Sequence, residues 1–258
     1  MEKERNVIFI SGATSGIGRA SAFLFAQKGF DVILTGRRKE RLDMICREIE
    51  QQFRVKALAL NFDVRNEKEV NEAIQSVPTG WTSRLTVLLN NAGLAAGRAP
   101  IDQGDTGDWD QMIDTNIKGL LYVTKAVLPF FKEQNQGHII NISSIAGKEV
   151  YASGNVYCAT KHAVDALSKS MRIDLLPYGI KVTNVAPGAV ETEFSLVRYK
   201  GSQELADATY DGYEPLVAED IADTIYYAVS RPRHVVINDL LIMPAAQANA
   251  TLFRKEEK

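Results

Sequence analysis

Three side chains capable of proton chemistry, Ser144, Tyr157 and Lys161, stand in one short run, ISSIAGKEVYASGNVYCATK. Tyr157 and Lys161 are four residues apart in NVYCATKHAVDALSKSMRIDLL, a stretch of helical character, so their side chains share a helix face and can meet. A phenol with a pKa near ~10 is a poor acid or base at neutral pH, but a neighbouring ammonium favours the phenolate and lowers that value. Tyr157 is then expected to serve as a proton donor and acceptor. Ser144 ends the apolar run HIINISS, where its hydroxyl would hold the oxygen of a carbonyl or alcohol. The YxxxK spacing alone also describes a surface pair on an amphipathic helix, so the choice rests on other segments.

Near the amino end, the β-branched run Val7 to Ile10 leads into Ser11 to Gly18 and then into a helical stretch from Arg19 to Lys28. In this strand, turn and helix, Gly12 permits the tight turn, Gly16 lets the backbone approach a pyrophosphate, and Gly18 allows helix and strand to pack closely. The spacing is GxxxGxG rather than GxGxxG. Asn90, Asn91, Ala92 and Gly93 follow the strand LTVLL directly, at the carboxyl end where open α/β sheets bind ligands. Asn116 falls on a helix expected to begin near Trp109, in a run (DTNIKGLLYVTKAVLPFF) too apolar to be mostly exposed. A buried amide there needs partners.

Together these residues resemble the short-chain dehydrogenase/reductase family, and the resemblance extends from Val7 to about Pro244. The glycine motif matches at Gly12, Gly16 and Gly18, with Ser11 where threonine is common. The NNAG motif matches at Asn90 to Gly93, and a Pro-Gly pair after the sixth strand at Pro187 and Gly188. The resemblance implies a catalytic tetrad of Asn116, Ser144, Tyr157 and Lys161. Ser144 is taken over Ser143 because it precedes Tyr157 by thirteen residues, as the family's serine does. It implies hydride transfer between a nicotinamide and a carbinol carbon, with Tyr157 moving the proton, Ser144 holding the oxygen, Lys161 acting on the tyrosine and the nicotinamide ribose, and Asn116 supporting a water relay from Lys161. Cofactor contacts are implied for Gly12, Ser15, Gly16, Ile17, Gly18, Asn90, Ala92, Gly93, Tyr157, Lys161, Pro187, Gly188 and Val190. Asp63 and Val64 match the adenine-contacting pair, and Thr192 the position that bonds the nicotinamide carboxamide or phosphate.

Cofactor choice is read where the second strand ends, at Thr35, Gly36, Arg37 and Arg38. A carboxylate at that point would accept from a ribose 2′-hydroxyl, whereas arginine favours a 2′-phosphate. Asp31 is at the wrong end of the strand, so NADP(H) is the expected cofactor. The alternative is that Arg37 and Arg38 simply open the charged helix RRKERLDMI.

Apolar runs near Val7 to Ile10, Asp31 to Thr35, Val55 to Asp63, Leu85 to Leu89, His138 to Ser143, Lys181 to Ala186 and Asp239 to Met243 alternate with amphipathic segments. That pattern predicts an α/β fold: a doubly wound, seven-stranded parallel sheet with helices on both faces, Rossmann-type, in a single domain spanning 1–258. Residues 190–219 read as one long irregular stretch, a length that is usually functional. In the family such a stretch covers the substrate. With 30 basic and 32 acidic residues, net charge −2 and no long block of either sign, neither nucleic acid nor membrane is an expected partner. No apolar run approaches the ~20 residues of a membrane span, and MEKERN lacks the apolar core of a signal peptide, so a cytoplasmic protein is expected. Cys46, Cys158 and the three histidines have no metal-like spacing, and no metal is expected.

PGAVETEFSLVRYKG, NNAGLAAG and GNVYCATK look most like the branch of NADP-dependent 3-hydroxy acid dehydrogenases acting on serine and similar short hydroxy acids. The substrate is then a small molecule held by Ser144, Tyr157 and Arg198, whose fork suits a carboxylate. A solvated charge is the alternative reading of Arg198. A reductase of sugars, polyols or 3-oxoacyl groups, and a non-catalytic NADP-sensing protein, are the alternative functions. The intact tetrad weighs against the sensor. Family resemblance suggests a homotetramer.

Overall fold

The computed structural model describes residues 5–255. Seven strands, β1 (Val7–Ile10), β2 (Asp31–Gly36), β3 (Ala57–Asn61), β4 (Leu85–Asn90), β5 (Gly137–Ile142), β6 (Ile180–Pro187) and β7 (Asp239–Ile242), form one sheet in the order β3-β2-β1-β4-β5-β6-β7. All six pairings are parallel. The helices are α1 (Gly16–Gln27), α2 (Lys39–Gln52), α3 (Glu67–Gln75), α4 (Thr79–Thr82), α5 (Thr106–Ile113), α6 (Leu120–Gln134), α7 (Asn155–Asp174), α8 (Glu193–Arg198), α9 (Gln203–Ala208) and α10 (Ala218–Val229). Among the described residues, no helix is long and apolar enough to cross a membrane.

Strand β1 shows why the sequence folds this way. All four of its residues are buried, and successive side chains point to opposite faces of the sheet. Val7 and Phe9 join a core with residues of α3, α6 and α7, including Ile74, Phe131 and Val164. Ile8 and Ile10 join the opposite core with Phe25 of α1, Ile49 of α2 and Ile225 of α10. A strand covered on both faces has no solvent-facing register, so it reads as a continuous apolar run. Between β1 and β4 the strand order reverses, and the crevice there opens at the carboxyl edge of the sheet.

Two expectations are corrected. Residues 190–219 are not irregular: they contain α8 and α9 and run into the start of α10. Asn116 is not in ordinary α-helix. It sits in a π-helical segment, Asp114–Gly119, inserted between α5 and α6, a local widening common at functional sites.

Asp31, at the amino end of β2, has a structural task. Its carboxylate accepts from Arg84 Nη1 at 2.7 Å and from the Lys56 amide at 2.9 Å, and its side chain is almost fully buried. Removing one partner of such a pair strands the other charge, a loss of about 3 kcal/mol or more. Asp31→Ala is therefore expected to lower unfolding stability by about 3 kcal/mol in a denaturant titration, while ligand binding at Arg37 and Arg38, at the strand's other end, survives. Loss of binding without loss of stability would contradict this assignment.

Candidate active site

The carboxyl ends of the strands open into a cleft of about 850 Å³. Its floor is the turn between β1 and α1. Gly12 and Gly16 both adopt positive φ (68° and 51°), a region that favours glycine. A Cβ on Gly12 would lie 2.9 Å from Ala92 Cα, and one on Gly18 would lie 2.4 Å from the Gly12 carbonyl and 2.5 Å from Asn91 Nδ2. The turn is thus closed onto the strand behind it by backbone contact. Ser15, the residue preceding α1, makes no side-chain cap, so the first amides of the helix have no side-chain acceptor from that residue. Such a helix end favours an anion.

At the end of β2, Arg38 donates from Nε and Nη2 to Thr14 Oγ1 (3.1 and 2.8 Å) and from Nη2 to Ser15 Oγ (2.9 Å). Arg37 lines the same part of the cleft. Asp63 lines it too, paired with Arg65 at 2.6 Å. Burial acts to raise the Asp63 pKa, but hydrogen bonds from Arg65 and the charges of Arg65 and Arg37 outweigh it and hold the carboxyl below its usual range. Gly-rich turn, uncapped helix end, two arginines and a carboxylate make a cradle that fits a dinucleotide bearing a 2′-phosphate.

At the other end stand the proton-handling groups. Tyr157, Lys161 and Ser144 are all buried and line the cleft. Ser143, also in the lining, spends its hydroxyl on the Lys161 carbonyl (3.0 Å), whereas Ser144 Oγ accepts from the Ala146 amide (3.1 Å) and has only a long 3.4 Å contact to the Pro187 carbonyl. Ser144 is the serine whose hydroxyl meets Tyr157. Lys161 Nζ donates to the carbonyl of Ile142, the last residue of β5, at 2.9 Å. Asn116 donates to the Leu94 carbonyl (2.8 Å) and to Thr160 Oγ1 (3.0 Å) and accepts from the Leu94 amide (2.9 Å). Its amide therefore ties α7 to the loop after β4, and its hydrogen bonds go to Leu94 and Thr160 rather than to Lys161.

The expected electrostatics of Tyr157 is overturned. Burial raises its pKa above the usual phenol value, Tyr151 adds to the rise, and hydrogen bonding with Ser144 and the charge of Arg198 only partly offset it. Lys161 Nζ lies 5.9 Å from the ring centroid, bonded elsewhere, and burial lowers its own pKa to about 8. Desolvation wins over the pairing that the four-residue spacing suggested.

Of the residues expected from sequence, Gly18, Asn90 and Asn116 do not line the cleft and the others do. Asn90 is buried, its amide donating to Thr124 Oγ1 (2.8 Å) and Asn141 Oδ1 (2.9 Å). Arg198 reaches the chemistry: its guanidinium lies 5.3 Å from the Tyr157 ring centroid and 5.5 Å from that of Tyr151, and Nη2 donates to Tyr151 Oη at 2.7 Å. Its Nε is buried with no partner. Sequence reading missed Tyr151, Arg98, Glu193 and the tail around Gln247 and Phe253, all of which line the cleft. Gln247 accepts from the Ala189 amide at 2.8 Å, and the Phe253 ring lies 4.8 Å from that of Tyr213. Only a spacing of Tyr151 six residues before Tyr157 was there to be noticed. Among the described residues, no group of three or more His, Cys, Asp or Glu is placed to hold a metal.

Comparison with known proteins agrees with this geometry. Residues 6–201 match the short chain dehydrogenase family model. The chain is 47% identical over 244 residues to sulfoacetaldehyde reductase 2 of Chromohalobacter salexigens, covering 94% of this chain and 96% of that one. It is 44% identical over 247 residues to the NADP-dependent 3-hydroxy acid dehydrogenase YdfG of Salmonella typhi, covering 95% and 98%. The closed form of a serine dehydrogenase complexed with NADP⁺ superposes with a TM-score of 0.91 at 42% identity, over 97% of this chain and 100% of that structure.

The buried Lys161 gives a stability prediction. Displacement of its pKa from 10.5 to about 8, at about 1.4 kcal/mol per unit, makes the charged lysine cost the fold on the order of 3 kcal/mol. That cost is complete below pH 8 and is relieved between pH 8 and 10.5, where the unfolded chain binds the extra proton. Lys161→Met is expected to raise stability at pH 7 by up to about 3 kcal/mol, with the advantage shrinking towards pH 10. Melting temperatures against pH test it, and a wild type more stable than the variant at pH 7 would refute it.

Proposed function

The chain belongs to the short-chain dehydrogenase family and is an NADP-dependent oxidoreductase acting on a CH–OH group, and we propose that its substrate is a short 3-hydroxy acid, with 3-hydroxyisobutyrate favoured over serine. When bound, the cofactor supplies or accepts the hydride. Every other step is the protein's. In oxidation Tyr157 takes the hydroxyl proton, Ser144 donates to the substrate oxygen, and Lys161 holds the cofactor ribose beside the tyrosine. Asn116 keeps α7, and with it Tyr157 and Lys161, in register with the loop after β4. Gly12, Ser15, Gly16 and Ile17 hold the diphosphate, Arg37 and Arg38 the 2′-phosphate, Asp63 and Val64 the adenine, and Thr192 the nicotinamide end.

A phenol whose ionisation is opposed by burial does not give up its proton at neutral pH unaided. A cationic nicotinamide, and the ammonium of Lys161, would supply the missing positive charge. The proton relay is thereby tied to the loaded cleft, in line with the desolvated state of both groups.

The observation that carries the substrate reading is Arg198. A guanidinium lying against the Tyr157 and Tyr151 rings, with a buried Nε that has no acceptor, calls for an anion. Burial works against its charge, but the facing hydroxyl of Tyr151, first in charge and then in hydrogen bonding, keeps its pKa raised. The carboxylates lining the cleft are Asp63 and Glu193, both at the arginine end. An ammonium group beside Tyr157 would find no counter-charge, which is why a hydroxy acid without an amine is favoured over serine. A second reading is a small sulfonate aldehyde, as the name of the 47% identical relative suggests. A sulfonate would use the same arginine.

We further propose a homotetramer. The edge strand β7 exposes Leu241, and Ile173 and Leu176 at the end of α7 are three-quarters exposed. Such apolar surface is usually covered. Buried, unpaired Cys46 and Cys158 suit the reducing cytosol. Light scattering at working concentration should give a mass four times that of the chain, and a stable monomer would contradict it.

Initial rates with NADP⁺ across 3-hydroxyisobutyrate, serine, a hydroxysulfonate and uncharged secondary alcohols test the substrate reading. Arg198→Met is expected to raise KM for 3-hydroxyisobutyrate at least about tenfold, equivalent to ~1.4 kcal/mol, and to leave an uncharged alcohol almost unaffected. Equal losses on both would make Arg198 a lid-folding residue, and no loss on either would overturn its role in holding the substrate.

A further inference from the structure

Glu193, the first residue of α8, lies far along the chain from β2 yet meets the arginines at its end. One carboxylate oxygen accepts from Arg38 Nη1 at 2.9 Å and the other from Arg41 Nη1 at 2.8 Å. Arg38 is simultaneously bonded to Thr14 and Ser15 of the glycine-rich turn. One guanidinium therefore joins the cofactor cradle to the start of the lid. Burial acts to raise the Glu193 pKa, but the hydrogen bonds and charges of Arg38 and Arg41 hold the carboxyl below its usual range, so it is an anion at neutral pH.

Arg37, Arg38 and Glu193 all line the cleft, and Asp63, the other carboxylate there, is committed to Arg65. An anion brought to Arg38 must share it with Glu193. The 2′-phosphate brings nearly two negative charges, whereas an unphosphorylated ribose brings none. Like charges gathered on one guanidinium repel, and the side chains here are close to half exposed, so the repulsion is moderate and sensitive to salt.

We propose that Glu193 is a specificity-determining residue for the cofactor: its carboxylate competes with the 2′-phosphate for Arg38, so the amino end of α8 is loosened by the phosphorylated cofactor and not by the unphosphorylated one. The inference rests on the cofactor class and the arginine pair, not on the substrate reading, and its test uses no substrate. Arg41 is part of the device because it gives Glu193 a second anchor outside the cradle. Without that anchor the carboxylate would rest on Arg38 alone.

The experiment is calorimetric titration of the full chain, wild type and Glu193→Gln, with adenosine 2′,5′-bisphosphate and with 5′-ADP. Glu193→Gln is expected to tighten the 2′-phosphorylated fragment by about five- to tenfold and to change ADP by less than about twofold, with the gain shrinking as salt approaches about 0.5 M. In the wild type, hydrogen exchange at the α8 amides should be faster with the 2′,5′-bisphosphate than with ADP. Unchanged or weakened binding of the 2′-phosphorylated fragment in Glu193→Gln, or an equal gain for both fragments, would overturn the proposal. In the first case Glu193 braces Arg38 for the phosphate, and in the second it only restrains the lid. Exchange at α8 that is the same with both fragments would overturn the lid half.

Discussion

Both faces of the sheet are buried, and this constraint governs where chemistry can be placed. A polar group in the interior of such a sheet is costly unless it finds hydrogen-bond partners, and even here Asn90 Oδ1, Asn184 Oδ1 and His138 Nδ1 have none. Asn90, Asn141 and Asn184 are neighbours in register on β4, β5 and β6, and their amides are committed to Thr124, Asn141, Ser168 and Asp165. His138 on β5 bonds Thr183 on β6, and burial followed by the nearby Lys181 lowers its pKa to about 3, so it stays neutral. Groups free to act on a ligand are left to the loops at the carboxyl rim. The cradle, Ser144 and the lid all begin there.

The rim is not a fully solvated surface, and the reacting groups pay no attention to their solution pKa values. Tyr157 and Lys161 are displaced in opposite directions by the same cause, since desolvation opposes the charged form of each. Burial favours the neutral form of each, although Lys161, at about 8, still carries its charge at neutral pH. Such a pair is costly to the fold and useful to a reaction in which charge arrives with the ligand. The Ile142 carbonyl and the Asn116 bridge hold the two side chains in place without neutralising them. Position is supplied by hydrogen bonds and reactivity by the lack of water.

The fold was legible because its strands are short, apolar and evenly separated by amphipathic helices. Each expected strand end lies within two residues of the observed one, the widest difference being at β3, where the expected run is two residues longer at each end. The cluster of Ser144, Tyr157 and Lys161 was legible from spacing. What spacing does not carry is competition. The pairing of Tyr157 with Lys161 follows from four-residue periodicity, but the burial that outweighs it comes from side chains packed over the ring, among them Phe194, which reaches the site from far along the chain. The lid read as irregular because six-residue helices are too short for a periodic pattern to register. Glu193 carries no local signal at all, because its partners are Arg38 and Arg41, more than 150 residues away.

Helix α8 brings the two ends of the cleft onto one rigid element. Glu193 meets the arginines of the cradle, and Arg198, five residues later, lies against Tyr157. At 1.5 Å per residue these two positions are only about 7.5 Å apart along the helix axis. The helix is also pinned past its carboxyl end, where Lys200 pairs with Asp108 at 2.9 Å and the Arg198 carbonyl accepts from the Gly97 amide at 3.0 Å. Gly97 has a positive φ, and a Cβ there would lie 2.6 Å from Asp108 Oδ2, so that anchor leaves little room for adjustment. One end of α8 is thus fixed to α5 and its loop, and the other is held through the Glu193 carboxylate by two half-exposed arginines. If a phosphorylated cofactor draws Arg38 away from Glu193, as proposed, the Asp108 anchor is the point about which α8 would turn. A turn that lifts Glu193 would also shift Arg198, and through that single short helix the charge of the cofactor would be coupled to the placement of the cation proposed to face the substrate.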